Sequence, residues 1–204
     1  MEPFTRLAGR TVPLPDANID TDIIFPARFL LITAKLGLGR YAFYERRYEP
    51  DGDERTDFVF NQTRYKGAEI LIVGDNFGCG SSREQAAWAL RDLGVRCIVS
   101  TSFGEIFYNN CFKNSILPVV VTPERLTMLM ADAQVGAILV VDLLTQTLRR
   151  RNGAKIAFEV EPWRREALLN GLDEIAVVLE QSAAEIAAFE QNQRAQTAWL
   201  YQGE

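Results

Sequence analysis

The chain contains no histidine. That absence excludes a Ser-His-Asp triad, a Cys-His pair and any zinc site with a histidine ligand within these residues. Acid–base chemistry carried here has to come from hydroxyls, carboxylates, lysine, tyrosine or a partner's groups. An excess of basic residues is missing too: 22 Lys and Arg face 27 Asp and Glu, a net charge of −5. Nothing in that balance points to nucleic acid or to an anionic membrane. No apolar run approaches membrane-spanning length, and the start Met1–Arg6 lacks the basic-then-apolar signature of a secretory signal. Cysteine is scarce, with three at positions 79, 97 and 111. An odd number at low density suits a reducing cytoplasm. The spacing holds no short Cys-x-x-Cys pattern of the kind common in cluster sites, so no metal or cluster held by this chain alone is expected.

What is present suits an ordinary folded protein. At 204 residues and 48% apolar composition, the chain is expected to form one domain over residues 1–204 with a real core. Leu7–Leu14 reads as a strand ended by prolines. Asp16–Asp22 is a polar turn, Ala27–Tyr48 reads as short helical pieces and loop, and Glu49–Asp57 as an exposed loop. From Ala68 the pattern alternates strand and helix, which argues for an α/β architecture with parallel strands. After Gly136 three short strands are expected, the last two joined through Asn152-Gly153, a strong hairpin signal. Arg149-Arg150-Arg151 reads as a solvated hairpin end. Helices over Pro162–Asn170 and Asp173–Gln191 close the chain, with Ile175, Val178, Leu179 and Ile186 as a core-facing stripe.

The most informative stretch is Asp75-Asn76-Phe77-Gly78-Cys79-Gly80-Ser81-Ser82-Arg83-Glu84-Gln85, set between an apolar strand and a helix. Gly78 and Gly80 permit a sharp turn and close approach of backbone to a ligand. Ser81, Ser82 and Arg83 then stand at a helix start, where free N–H groups favour an anion. Three uses of this pattern remain open at this level. Ser81 with Glu84, or Ser82 with Gln85, fits a capping box. The loop also suits a phosphate cradle, although Gly80 sits where a P-loop places lysine. Finally, a serine beside an arginine and a helix terminus suits catalysis on a carboxylate substrate.

Several of these segments resemble a known family. Gly78-Cys79-Gly80-Ser81-Ser82-Arg83-Glu84 is similar to the active-site motif of the swivelling domain of the aconitase superfamily. Asn18–Pro26 resembles its opening motif, and Phe103–Asn110 and Gly171-Leu172-Asp173 match in order. The length and the closing Asn170–Asp173 resemble those of the small subunits of 3-isopropylmalate dehydratases. The resemblance implies a swivelling β/β/α domain, mostly parallel strands with flanking helices and a C-terminal β-hairpin. It implies a separate large subunit that carries a [4Fe-4S] cluster, and a small 2-hydroxy diacid as substrate. It implies Ser81 as the base, Ser82 and Arg83 as carboxylate binders, Thr21 and Asp22 in the polar floor, and Gly78, Cys79 and Gly80 shaping the loop. Lys35, in the segment Leu31–Gly37, stands near the arginine that helps such enzymes select the substrate's side group. Two positions depart from the pattern: Gln85 replaces the usual histidine, and lysine at 35 lacks the arginine fork. The alternatives are a related hydro-lyase acting on citraconate, dimethylmalate or homoaconitate, and a non-catalytic anion-binding subunit. The loop at about 27–57 is expected to be mobile without the partner.

Overall fold

A computed structural model describes residues 1–32 and 34–201, with only the backbone of Glu174. Thr33, one position of the loop segment named above, lies outside the described residues. The chain separates into two compact units, Met1–Gly171 and Leu172–Glu204.

The first unit carries all the described strands. They are β1 (Arg6–Leu14), β2 (Ile70–Val73), β3 (Cys97–Ser100), β4 (Leu117–Val120), β5 (Ile138–Asp142), β6 (Thr147–Arg149) and β7 (Lys155–Ala157), in the order β4-β3-β2-β1-β5-β6-β7. Strand β1 is shared between two kinds of pairing. Its first half, Arg6–Arg10, runs antiparallel to β5, and Thr11–Leu14 runs parallel to β2. The β2, β3 and β4 pairs are parallel, and β5, β6 and β7 form an antiparallel meander. This is the α/β architecture with a hairpin that the sequence implies.

The helices of this unit are α1 (Thr21–Ile24), α2 (Tyr44–Arg47), α3 (Glu84–Asp92), α4 (Glu105–Lys113), α5 (Pro123–Gln134) and α6 (Pro162–Asn170). Single 3-10 turns at Ala27–Phe29 and Gly39–Tyr41 break up the segment between α1 and α2. The parallel strands are buried on both faces, and successive residues face opposite ways. Leu71, Val73 and Ile98 therefore join one apolar cluster with α3, α4 and the 19–43 segment. Ile70, Ile72, Cys97 and Val99 join another with Leu129 of α5 and Leu168 of α6. Helix α3 ends as expected at Gly94, whose φ of +102° suits glycine.

Three expectations are corrected. Arg150 is not solvated: its guanidinium forks onto Asp132 of α5 at 2.6 and 3.0 Å. The single closing helix is two helices, α7 (Glu174–Gln181) and α8 (Ala183–Gln196), broken at Ser182, a residue that competes with helical hydrogen bonding. The stripe on α7 is not core: Ile175, Val178 and Leu179 are 71%, 54% and 55% exposed. Periodicity identifies an apolar face but not what covers it. Among the described residues no helix is long and apolar enough to cross a membrane.

Candidate active site

Three segments distant in sequence are stitched together at the C-terminal end of β2 and β3. The 75–83 loop leaves β2 through Gly74, where a Cβ would stand 2.4 Å from the carbonyl oxygen of Asp16. On one side the loop pairs with residues 18–21. Asn18 donates its N–H to the carbonyl of Asp75 at 2.8 Å, Gly78 to Ile19 at 2.7 Å, and Thr21 to Cys79 at 2.9 Å. On the other side it pairs with residues 102–104: Phe77 donates to the Ser102 carbonyl at 3.2 Å, and Gly104 to Phe77 at 2.9 Å. Asn18 and Asn76 both occupy left-handed backbone, and their amides bond to each other at 2.8 Å. Asp75 accepts from Ser102 and Thr101, at 2.5 and 2.8 Å, which holds its carboxyl below the usual range.

Gly78 has a φ of +73°, and a Cβ there would lie 2.2 Å from the ring of Phe107, itself buried. The glycine requirement is therefore both conformational and steric. Gly80, with φ of +92°, turns the chain back toward α3. Cys79 is half-buried in the loop, and burial, with the Asp20 charge, raises its thiol away from the thiolate. Cys97 and Cys111 are fully buried in different apolar clusters. The donor set of this chain therefore does not fit a cluster, and no metal-holding group of three or more His, Cys, Asp or Glu occurs among the described residues.

The capping boxes are not formed. Arg83 is the N-cap of α3, with no side-chain cap bond. Glu84 is turned to other work, accepting from Trp88 Nε1 at 3.0 Å and Asn114 Nδ2 at 3.1 Å. Ser81 and Ser82 are exposed, and among the described residues neither hydroxyl has a hydrogen-bond partner. Their oxygens are free beside the positive end of a nine-residue helix.

Arg83 is anchored at one corner only. Its Nη1 donates to Asp22 Oδ1 and, at 3.3 Å, to the carbonyl of Phe25. The side chain is 16% exposed, and the remaining guanidinium N–H groups have no partner among the described residues. Asp22 also accepts from the Ala27 amide at 2.8 Å; Arg83, then that amide, holds its carboxyl below the ordinary range. Thr21 is buried, and its hydroxyl donates to the Ser81 carbonyl at 2.8 Å. It clamps the loop rather than facing solvent. An open groove of about 540 Å³ runs beside Asp22, lined also by Asp20, Pro26, Ala27, Arg28, Glu45 and Arg46.

Lys35 is not brought into this cluster. Its ammonium lies over the Trp88 ring, 4.6 Å from the centroid, in a separate pocket lined by Arg91, Asp92, Gly94 and Asn114. Leu31 and Leu36 are 93% and 86% exposed, whereas Ile32 packs on the core. Sequence reasoning missed Phe25, whose carbonyl orients Arg83, and Ser102, which ties down the base of the loop. No local motif marks a backbone carbonyl, and Ser102 carried no pattern of its own.

Comparisons with known proteins identify the family and the fold. The aconitase C-terminal domain family matches residues 1–124. The 3-isopropylmalate dehydratase small subunit of Allorhizobium ampelinum is 52% identical over 98% of this chain and 100% of its own length. That of Xanthobacter autotrophicus is 52% identical over the same shares. A crystal structure of 3-isopropylmalate dehydratase from Methanocaldococcus jannaschii superimposes with a TM-score of 0.67, covering 90% of this chain and 99% of that one at 22% identity, a likeness of fold. The chain belongs to the aconitase C-terminal domain family, within its 3-isopropylmalate dehydratase small subunits.

Proposed function

We propose that this chain is the half of a hydro-lyase that closes over a diacid held by a large subunit, isomerising 2-isopropylmalate to 3-isopropylmalate by dehydration and rehydration. This is a step of leucine biosynthesis carried out in the cytoplasm. The observation that carries the reading is the pair of unpartnered, exposed serine hydroxyls beside a guanidinium anchored at one corner only. Such a set binds a carboxylate and lies open on the surface, as half of a site shared between two polypeptides should.

Ser81 acts as the base. Its alkoxide takes the proton from the substrate carbon, and the C–H electron pair becomes the double bond as the neighbouring hydroxyl departs. On rehydration Ser81 gives the proton to the carbon that lost the hydroxyl, and the hydroxyl joins the carbon that lost the proton, so the two groups have exchanged places. An alkoxide is tolerable only in positive potential, which the α3 terminus and Arg83 provide. The free N–H groups of Arg83 fork onto a substrate carboxylate, and Ser82 donates to it. Asp22 orients Arg83, and Thr21 fixes the Ser81 backbone. The large subunit is the expected holder of the [4Fe-4S] cluster, which supplies Lewis acidity toward substrate oxygens.

The test is the complex reconstituted with its large subunit. Ser81→Ala should lower kcat by ~10²–10⁴-fold, the usual contribution of a positioned base, with assembly unchanged. Unaltered turnover would leave the chain a non-catalytic anion-binding subunit. A panel of 2-hydroxy diacids tests the substrate, and preference for one lacking the isopropyl group would favour a related hydro-lyase.

A further inference from the structure

Glu84 opens α3, three residues after Ser81 and next to Arg83. An acidic side chain in a first helical turn is ordinarily drawn to the free N–H groups there, and Ser-x-x-Glu is the spacing at which it reaches back to them. Those groups are unpaired: among the described residues, the backbone N–H groups of Ser81, Ser82 and Arg83 donate to no oxygen. Glu84 nevertheless turns away from them. Its Oε1 accepts from two donors at once, Trp88 Nε1 at 3.0 Å and Asn114 Nδ2 at 3.1 Å. Trp88 lies one turn further along the same helix face. Asn114 follows α4 as its C-cap, and its amide also donates to the Asn110 carbonyl at 2.8 Å, so the second donor is fixed by a different helix. Neither donor belongs to the cluster of Thr21, Asp22, Ser81 and Arg83.

We propose that Trp88 and Asn114 are positioning residues for the reaction: together they hold the Glu84 carboxylate off the helix terminus where a substrate carboxylate binds. The proposal rests on the reading of Ser82 and Arg83 as carboxylate binders. With both donors removed, Glu84 turns back to the Ser81 amide or to the neighbouring guanidinium, the remaining strong donors within its reach. A carboxylate tethered there competes with the diacid at a high effective concentration. Enough substrate still displaces it. The signature is therefore a raised KM with kcat retained, and it depends on the charge of Glu84.

The experiment is a set of steady-state assays on the complex reconstituted with its large subunit, with 2-isopropylmalate as substrate. Trp88→Phe removes the indole N–H and keeps a ring beneath Lys35, and Asn114→Ala removes the other donor. The double variant should raise KM roughly tenfold, the scale of one charge-assisted hydrogen bond, with kcat near the parent value. Adding Glu84→Gln should bring KM back, because glutamine keeps the shape and carries no charge. Glu84→Gln alone should leave KM where it is. An unmoved KM in the double variant overturns the proposal. So does a raised KM that Glu84→Gln fails to rescue, the mark of ordinary loosening of α3, and so does a rise caused by Glu84→Gln on its own. Should the double variant not fold, Trp88→Phe alone, with and without Glu84→Gln, gives the same comparison with a smaller rise. Ser81→Ala separates this role from the catalytic reading. If it keeps turnover while the KM rise and its rescue persist, the positioning role stands and the assignment of the base falls. A parent complex that neither turns over nor binds 2-isopropylmalate removes both.

Discussion

Two loops border the Asp22–Arg83 pair and are held by different means. The 75–83 loop is fixed by backbone: amides and carbonyls of residues 18–21 and 102–104 bond to it on both sides, and Gly78 and Gly104 leave no room for a Cβ. The 27–41 arc is held mostly by side chains and its two ends. Ala27 is tied to Asp22 and Gly39 to Asp92 at 2.7 Å, Phe29 stacks on Tyr41 at 4.4 Å between centroids, and Lys35 lies on Trp88. The loop that carries Ser81 is thus held mainly through its main chain, with added side-chain ties at Asp75 and Asn76. The arc keeps exposed, replaceable side chains such as Leu31 and Leu36.

The contrast can be broken most severely at Gly78. Gly78→Ala places a methyl inside the Phe107 ring and strains a left-handed residue, so a loss of about 3 kcal/mol in urea unfolding is expected. A loss below about 1 kcal/mol would show that the loop is not rigidly packed. Arg83→Lys preserves charge and removes the fork; kcat/KM should fall about 10–100-fold, the worth of one charge-assisted hydrogen bond, without loss of stability. Asp22→Asn should raise KM by a few-fold by loosening Arg83. Because the folded Asp22 value is depressed, its pair with Arg83 stabilises above the ordinary carboxylate range and is lost as pH falls through the lowered value. With the Asp22 side chain 56% exposed, that stabilisation stays below about 1 kcal/mol. An acid limb of KM that survives in Asp22→Asn would assign the titration elsewhere. The smallest effect is expected on the arc: Lys35→Met should cost about 0.5–1 kcal/mol at most and shift Trp88 fluorescence. A tenfold rise in KM instead would place Lys35 on the substrate during turnover.

Much of this was legible locally. The strand–glycine loop–helix order around Gly78, the hairpin at Asn152-Gly153 and the proline starts of α5 and α6 follow from φ preferences and hydrogen-bond capacity, which each residue carries with it. Other features were ambiguous for an equally physical reason. Ser81 and Ser82 have the same sequence signature whether they cap a helix or stand free. What separates the two is where Glu84 goes, and that depends on Trp88 and Asn114. Arg150 looks like solvated charge until Asp132, 18 residues away, is brought beneath it. Likewise the α7 stripe has the period of core but lies exposed.

By itself the sequence determined the α/β alternation, the exclusion of histidine chemistry and the residue types gathered in the serine loop. These are properties of single side chains and short spacings. Only the tertiary structure decided that Thr21 clamps the Ser81 carbonyl, that Asp22 orients Arg83 and that Lys35 sits on Trp88. Such contacts join segments about 50–60 residues apart, and their partners are selected by how β1 and β2 pair, not by any local preference.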